Sequence, residues 1–245
     1  MTTRMESPAQ GAPVTAPASR RVVDAPVRMC HALSALCFTG AWLTAESEAW
    51  RSLHMTLGYA LAGLLVFRLL YGLMGPGPAR LSLWQSRAGL LPDLLRKGRW
   101  WQPSPKQWIR QGQQGVMALL VLLLLFGIVP LTLTGYLSNH DAPEWVAEGH
   151  DLLGNLMLGL VLAHVGLVLL ASLLRQQNLP WSMLTGRLPG RGPDLVTRNH
   201  HWLALLLLAA VLGFCAYDWL SASSATVGLS GPTHWNESTH HDESD

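Results

Sequence analysis

Five apolar runs, each about 18 to 25 residues long, fill the middle of this chain, and a helix crossing the ~30 Å hydrocarbon core of a bilayer needs about 20. They extend from about Val27 to Thr44, His54 to Met74, Gly115 to Leu137, His150 to Leu174 and Trp202 to Leu220. The third contains VMALLVLLLLFGIVPLTLTGYL without a single charge, and Pro130 inside it predicts a kink more than a break. Only 13% of the residues are charged, about half the share of an ordinary soluble domain. The chain therefore reads as an all-α integral membrane protein. A net charge of +2 is too small for a polyanion footprint, so nucleic acid is not expected as a partner. The cysteines Cys30, Cys37 and Cys215 form no CxxC pair, which argues against zinc ribbons, thioredoxin chemistry and covalent haem attachment through CxxCH.

The loops give a direction. Arg4, Arg20, Arg21 and Arg28 precede or open the first run. Arg80, Arg87, Arg96, Lys97, Arg99, Lys106 and Arg110 lie between the second and third, and Arg175, Arg187, Arg191 and Arg198 between the fourth and fifth. Fifteen of the seventeen basic residues thus fall on one side. The other side offers Arg51 beside Glu46, Glu48, Asp141, Glu144 and Glu148. The positive-inside rule places the N-terminus in the cytoplasm and, with five spans, the C-terminus outside. Tryptophans at the span ends (Trp42, Trp50, Trp108, Trp145, Trp202, Trp219) match an aromatic belt. The basic, Trp-rich stretch from Gly75 to Gly112 reads either as a plain topogenic loop or as a segment lying on the anionic leaflet around Leu90–Trp101.

Ionisable side chains within spans are expensive and mark functional sites. Five stand out here: His31, His54, Arg68, His150 and His164. His150 and His164 are fourteen residues apart, which on a helix means about 21 Å of rise and within about 40° of one face. His31 starts the first span, on the cytoplasmic side, and His54 starts the second, on the outer side. The inward-running fourth span puts His150 near the outer face and His164 deeper. Depth alone then pairs His31 with His164 and His54 with His150, which is what two bis-histidine haems need. Arg68 shares the face of His54, about 21 Å closer to the cytoplasm. It reads either as the partner of a haem propionate or as an arginine snorkelling to the headgroups. Small residues four positions after three of the histidines, Ala35, Gly58 and Gly154, leave room for a flat macrocycle, and such residues also serve plain helix packing.

The stretches DAPVRMCH, LHMTLGYALAGLLVFRLLYGLMGP and EGHDLLGNLMLGLVLAHVGLVLL, with NLPWSMLTGR after them, resemble the bacterial dihaem cytochrome b561 family, which includes the cytochrome b subunit of nickel-iron hydrogenases. The resemblance covers about residues 22 to 188. It implies a four-helix transmembrane haem-binding bundle with two b-type haems on His31, His54, His150 and His164. It also implies electron exchange between the quinone pool and a partner protein. The chain departs from relatives before the third span, where Arg110 to Gly115 stand in place of a Gly-His-Asn-Pro stretch.

The expected organisation is a disordered cytoplasmic tail over 1–25, the haem domain over 26–188, a fifth C-terminal transmembrane helix over 199–221, and a disordered, outward-facing, His- and acid-rich tail over 222–245. His200 and His201 are expected to cap the fifth span at the interface and His140 to be solvated. His234, His240 and His241 show no zinc-site spacing. The function expected is a cytochrome of the bacterial inner membrane passing electrons between quinone and an outward-facing redox protein such as a c-type cytochrome. The alternative within the class is a hydrogenase anchor. A haem-free histidine-using cation transporter is the rival from another class, but it should show inverted repeats and broken helices at mid-membrane, and neither is visible.

Overall fold

The computed structural model describes residues 19–75, 80, 105–190, 193–196 and 198–228. Helix α1 spans Ala25–Thr44 and α2 spans Arg51–Met74, after a short 3-10 turn at Glu48–Trp50. Helix α3 covers Pro105–Ser138, α4 Glu144–Arg175, α5 Leu179–Thr185 and α6 His201–Gly228. Strands β1 (Ser19–Arg21) and β2 (Arg187–Pro189) pair antiparallel.

Sequence chemistry sets the boundaries. Pro26 opens α1, where a missing backbone N–H costs nothing. Pro130 stays within the continuous α3. Asn178 caps α5 by accepting from the Trp181 backbone N–H at 3.0 Å. Gly186 ends α5 at a φ of +74°, and a Cβ there would lie 2.6 Å from the Val23 carbonyl oxygen, so the position demands glycine.

Two antiparallel hairpins build the molecule. In α1/α2, the Cys30 thiol donates to the Leu64 carbonyl (3.6 Å) and His54 bonds to the Ala41 carbonyl (2.8 Å). In α3/α4, Arg175 donates to Gln113 (3.2 Å) at one end and His150 bonds to the Leu131 carbonyl (3.0 Å) at the other. Helix α2 joins the hairpins by packing on α3, and α6 lies against α1 and α2. The core sits in that last seam, where Cys30, Leu33, Cys37, Ala60, Leu61, Leu64 and Leu207 are buried together. Thr56 of α2 and Asp218 of α6 close it with a hydrogen bond.

At the end of the bundle where α1 starts, β1 and β2 make a clasp between the N-terminal segment and the chain following α5. The Val22 backbone donates to the Gly186 carbonyl (2.8 Å), Arg21 donates to Asp194 (2.6 Å) and Leu195 to Arg21 (2.9 Å). Arg28 reaches the Leu184 carbonyl at 2.7 Å.

Three expectations are revised. Among the described residues four stretches are long and apolar enough to cross a membrane, Glu48–Met74, Gly112–Ser138, Glu144–Arg175 and His201–Ser221, so four candidate spans are shown and a fifth is not supported. Helix α1 is missing from that set because Arg28, His31, Ser34 and Thr39 dilute its hydropathy. Residues 19–24, expected in a disordered tail, are held in the clasp. Helix α6 continues past the expected end near residue 221 to Gly228. The loop segment Leu90–Trp101, the rest of the N-terminal tail, and His234, His240 and His241 lie outside the described residues.

Candidate functional site

Helix α4 packs closely on α3 but has no comparable backbone approach to α1 or α2 among the described residues. The space between is bridged by imidazoles. The rings of His31 (α1) and His164 (α4) have centroids 6.5 Å apart, tilted by 49°. The rings of His54 (α2) and His150 (α4) are 6.0 Å apart and nearly perpendicular, at 86°. Fourteen residues of α4 separate the two sets by about 21 Å along the axis. The first pair lies toward the clasp end and the second toward the opposite end.

Those separations can be tested against chemistry. Two metal–imidazole bonds of about 2 Å, plus roughly 1 Å from each nitrogen to its ring centre, hold the rings of an axial pair about 6 Å apart. Two imidazoles in van der Waals stacking would lie closer. Among the described residues no three His, Cys, Asp or Glu side chains converge on one point. Each pair could offer two nitrogens to a metal, and a porphyrin would bring the remaining four.

Hydrogen bonding points the same way. A carbonyl can only accept, so His54 donates through Nδ1 to Ala41 and His150 through Nδ1 to Leu131. Each keeps the Nε2 lone pair free, the tautomer that a second-shell carbonyl imposes on a metal-binding histidine. Nδ1 of His164 is buried with no hydrogen-bond partner among the described residues. His31 is exposed, although its neighbour Cys30 is buried, so its side chain faces open space and not the α1/α2 seam. Gly58 and Gly154 also border open space, since a Cβ on either would meet nothing within 4 Å. These residues are compatible with a flat group between α4 and the α1/α2 hairpin.

Sequence reasoning missed two residues. A Cβ on Gly135 of α3 would lie 2.7 Å from Cε1 of His150, so this glycine lets the imidazole pass. Its only signal was a small residue in an apolar helix. The second is Asp24, just ahead of α1 and only 2% exposed. It caps no helix N–H; its carboxylate accepts from the Tyr71 hydroxyl at 2.5 Å and lies within electrostatic reach of Arg68. This carboxylate stands just outside the spans, where no spacing in the sequence tied it to Arg68. Of the remaining histidines, His140 is exposed and bonds the Tyr136 carbonyl at 2.7 Å. His201 pairs with Asn199 at 2.8 Å, and His200 lines a cavity against α2.

A family model for prokaryotic cytochrome b561 matches residues 22–186, which takes in all four paired histidines and Arg68. Neither the curated proteins nor the solved structures contain a match to the chain.

Proposed function

This chain belongs to the prokaryotic cytochrome b561 family, a family of membrane cytochromes that bind b-type haem, and we propose that it is a two-haem cytochrome b carrying electrons between the quinone pool and an outward-facing redox protein. The observation that carries this reading is the presence of two imidazole pairs, 6.5 and 6.0 Å apart, at two levels of one bundle. His31 with His164 and His54 with His150 are the proposed axial ligands, each offering a neutral imidazole nitrogen to one face of a haem. Bound haem supplies reversible one-electron exchange at its iron. The chain's own part is to hold, orient and electrostatically tune the group. Gly58 and Gly154 keep the space clear, and Gly135 seats His150.

The acidic rim favours a basic partner surface such as that of a c-type cytochrome. Glu46, Glu48, Asp141, Glu144 and Glu148 are all exposed at the end opposite the clasp, and complementary charge speeds encounter more than it adds affinity. Among the described residues Arg20, Arg21, Arg28, Arg175 and Arg187 lie at the clasp end, which supports a cytoplasmic clasp and a cytoplasmic N-terminus. Helix α1 falls short of the four candidate spans in hydropathy, but its twenty helical residues rise about 30 Å, and in this reading it crosses on length. Alkaline phosphatase fused after Ser47 or after Ser223 should be active, and fused after Arg99 inactive. An inactive Ser47 fusion would mean that α1 does not cross.

Arg68 is assigned to a haem propionate at the level of His31 and His164, with Asp24 as its second anion. A positive charge beside a haem disfavours the oxidised form, so Arg68→Leu should lower the midpoint potential of that haem. Asp24→Asn should raise it. Each shift should be on the order of 50 mV, as expected for one partly screened charge, and the other haem should not move. Unchanged potentials in a redox titration of both variants would return Arg68 to the role of a snorkelling residue.

A further inference from the structure

Helix α5 and the clasp strand that follows it take no part in the histidine pairs. The apolar run of α4 ends with exposed Leu173 and Leu174, and Arg175 follows as the next charge. An arginine at the end of such a run marks the level where hydrocarbon gives way to headgroups. Gln176, at a φ of +50°, turns the chain off the α4 axis, and α5 begins three residues later at Leu179. Two of its seven residues, Trp181 and Leu184, are one turn apart on one face. They are 58% and 68% exposed, and a tryptophan beside an apolar residue at this depth suits the interfacial layer of a bilayer.

The clasp adds charge. Its register sets Arg187 directly opposite Arg21. Cross-strand partners stand on one face of the ribbon with Cβ atoms about 5 Å apart, and like charges placed so repel. Arg187 donates to the Ser19 hydroxyl at 3.2 Å, and the Asp194 carboxylate accepts from the Arg21 backbone N–H at 2.6 Å. Among the described residues no carboxylate pairs with either guanidinium. Two cations held together in this way are stabilised by an anion from outside the chain.

We propose that α5 and this face of the clasp bind an anionic phospholipid. Its phosphodiester would lie between Arg21 and Arg187 and accept from both, while its acyl chains run past Leu184 and Trp181 toward the exposed end of α4. Arg187 follows Leu184 by three residues, about 10 Å of chain at most, so one lipid can reach both. A zwitterionic lipid would bring its own ammonium group to a site already rich in cations. A protein partner could cover Trp181 and Leu184, but it would have to displace lipid from a helix at the bilayer boundary.

The full chain with its haem, in phosphatidylcholine nanodiscs containing some phosphatidylglycerol, is crosslinked to a phosphatidylglycerol carrying a photoreactive diazirine in its headgroup. A phosphatidylcholine probe with the same reactive group is used in parallel, and the labelled peptides are mapped. The phosphatidylglycerol probe is expected on residues 179–189 and 19–21, displaced by unlabelled phosphatidylglycerol and not by phosphatidylcholine. Arg187→Gln and Arg21→Gln should each cut that label about fivefold, as expected for one charge beside an anionic headgroup, with haem content unchanged. Equal labelling by both probes would reduce the contact to ordinary lipid and overturn the proposal. Label confined to other parts of the chain, or undiminished in both variants, would do the same. Displacement by inorganic phosphate would make this a free-anion site and overturn the lipid. Label found in nanodiscs but missing in native membranes would mean that a protein covers α5, which also overturns it.

Discussion

His31→Ala and His164→Ala should each remove the same haem component from the reduced-minus-oxidised spectrum, and His54→Ala and His150→Ala should each remove the other. The pairs lie 6.5 and 6.0 Å apart, so each imidazole has one partner, and losing either leaves iron weakly held on one side. Haem content should fall from about two per chain toward one, since a non-covalent haem held by one imidazole washes out. The double variant within a pair should cost little more than either single one, because the second removal acts on a site already lost. A double variant across pairs, such as His31→Ala with His54→Ala, should remove all haem. If His31→Ala and His150→Ala removed the same component, the pairing would be wrong. Full haem content in all four single variants would make the histidines packing residues and end the cytochrome reading.

Gly135→Val should be nearly as damaging to one component, although Gly135 is not itself a proposed ligand. A Cβ there would sit 2.7 Å from Cε1 and 3.1 Å from Nδ1 of His150, and a valine adds two methyl groups. The imidazole must move, its bond to the Leu131 carbonyl breaks, and the His54–His150 pair opens. Intrinsic propensity runs the other way, because replacing a mid-helix glycine favours the helix by roughly 0.5–1 kcal/mol. The variant should therefore keep its helical content and lose the haem of His54 and His150 while retaining that of His31 and His164. Gly154→Leu makes the complementary test. A Cβ at Gly154 meets no protein atom within 4 Å, so lost haem there would report occupied space and not a displaced ligand. Full haem content in Gly135→Val would show that His150 has room to spare and that the glycine is incidental.

The parts of this architecture that were legible in the sequence rest on long, strongly periodic signals. Apolar runs locate α2, α3, α4 and α6, and fourteen-residue spacing on a helix fixes both depth and face. Depth arithmetic alone pointed to the same two ring pairs that the structure brings within 6.5 Å; ligation is a further step that spacing cannot supply. What was not legible depends on contacts distant in sequence or made by very few residues. Three-residue strands such as Ser19–Arg21 leave no periodicity to detect in a polar segment. Asp24 gains its meaning from Tyr71, 47 positions away. Gly135 matters only because α3 presents it to His150. His200 looked like an interfacial cap and lines a cavity because α6 packs on α2 as well as on α1.

The clasp has a consequence for how the protein is made. Its strands are separated by 168 positions, the interval that the Arg187–Ser19 side-chain bond also spans, and His164 emerges shortly before the second strand. At about 5–20 residues per second of translation, the first hairpin, complete at Met74, waits for roughly 6 to 23 s before its clasp partner, which starts at Arg187, is synthesised. During that time His31 and His54 have no opposing imidazole, so neither ligand pair can form on the nascent α1/α2 hairpin. On the proposed pairing, cofactor loading would wait for the last part of biogenesis, after α4 has inserted. A ribosome stalled before residue 150 should carry a membrane-inserted chain without haem.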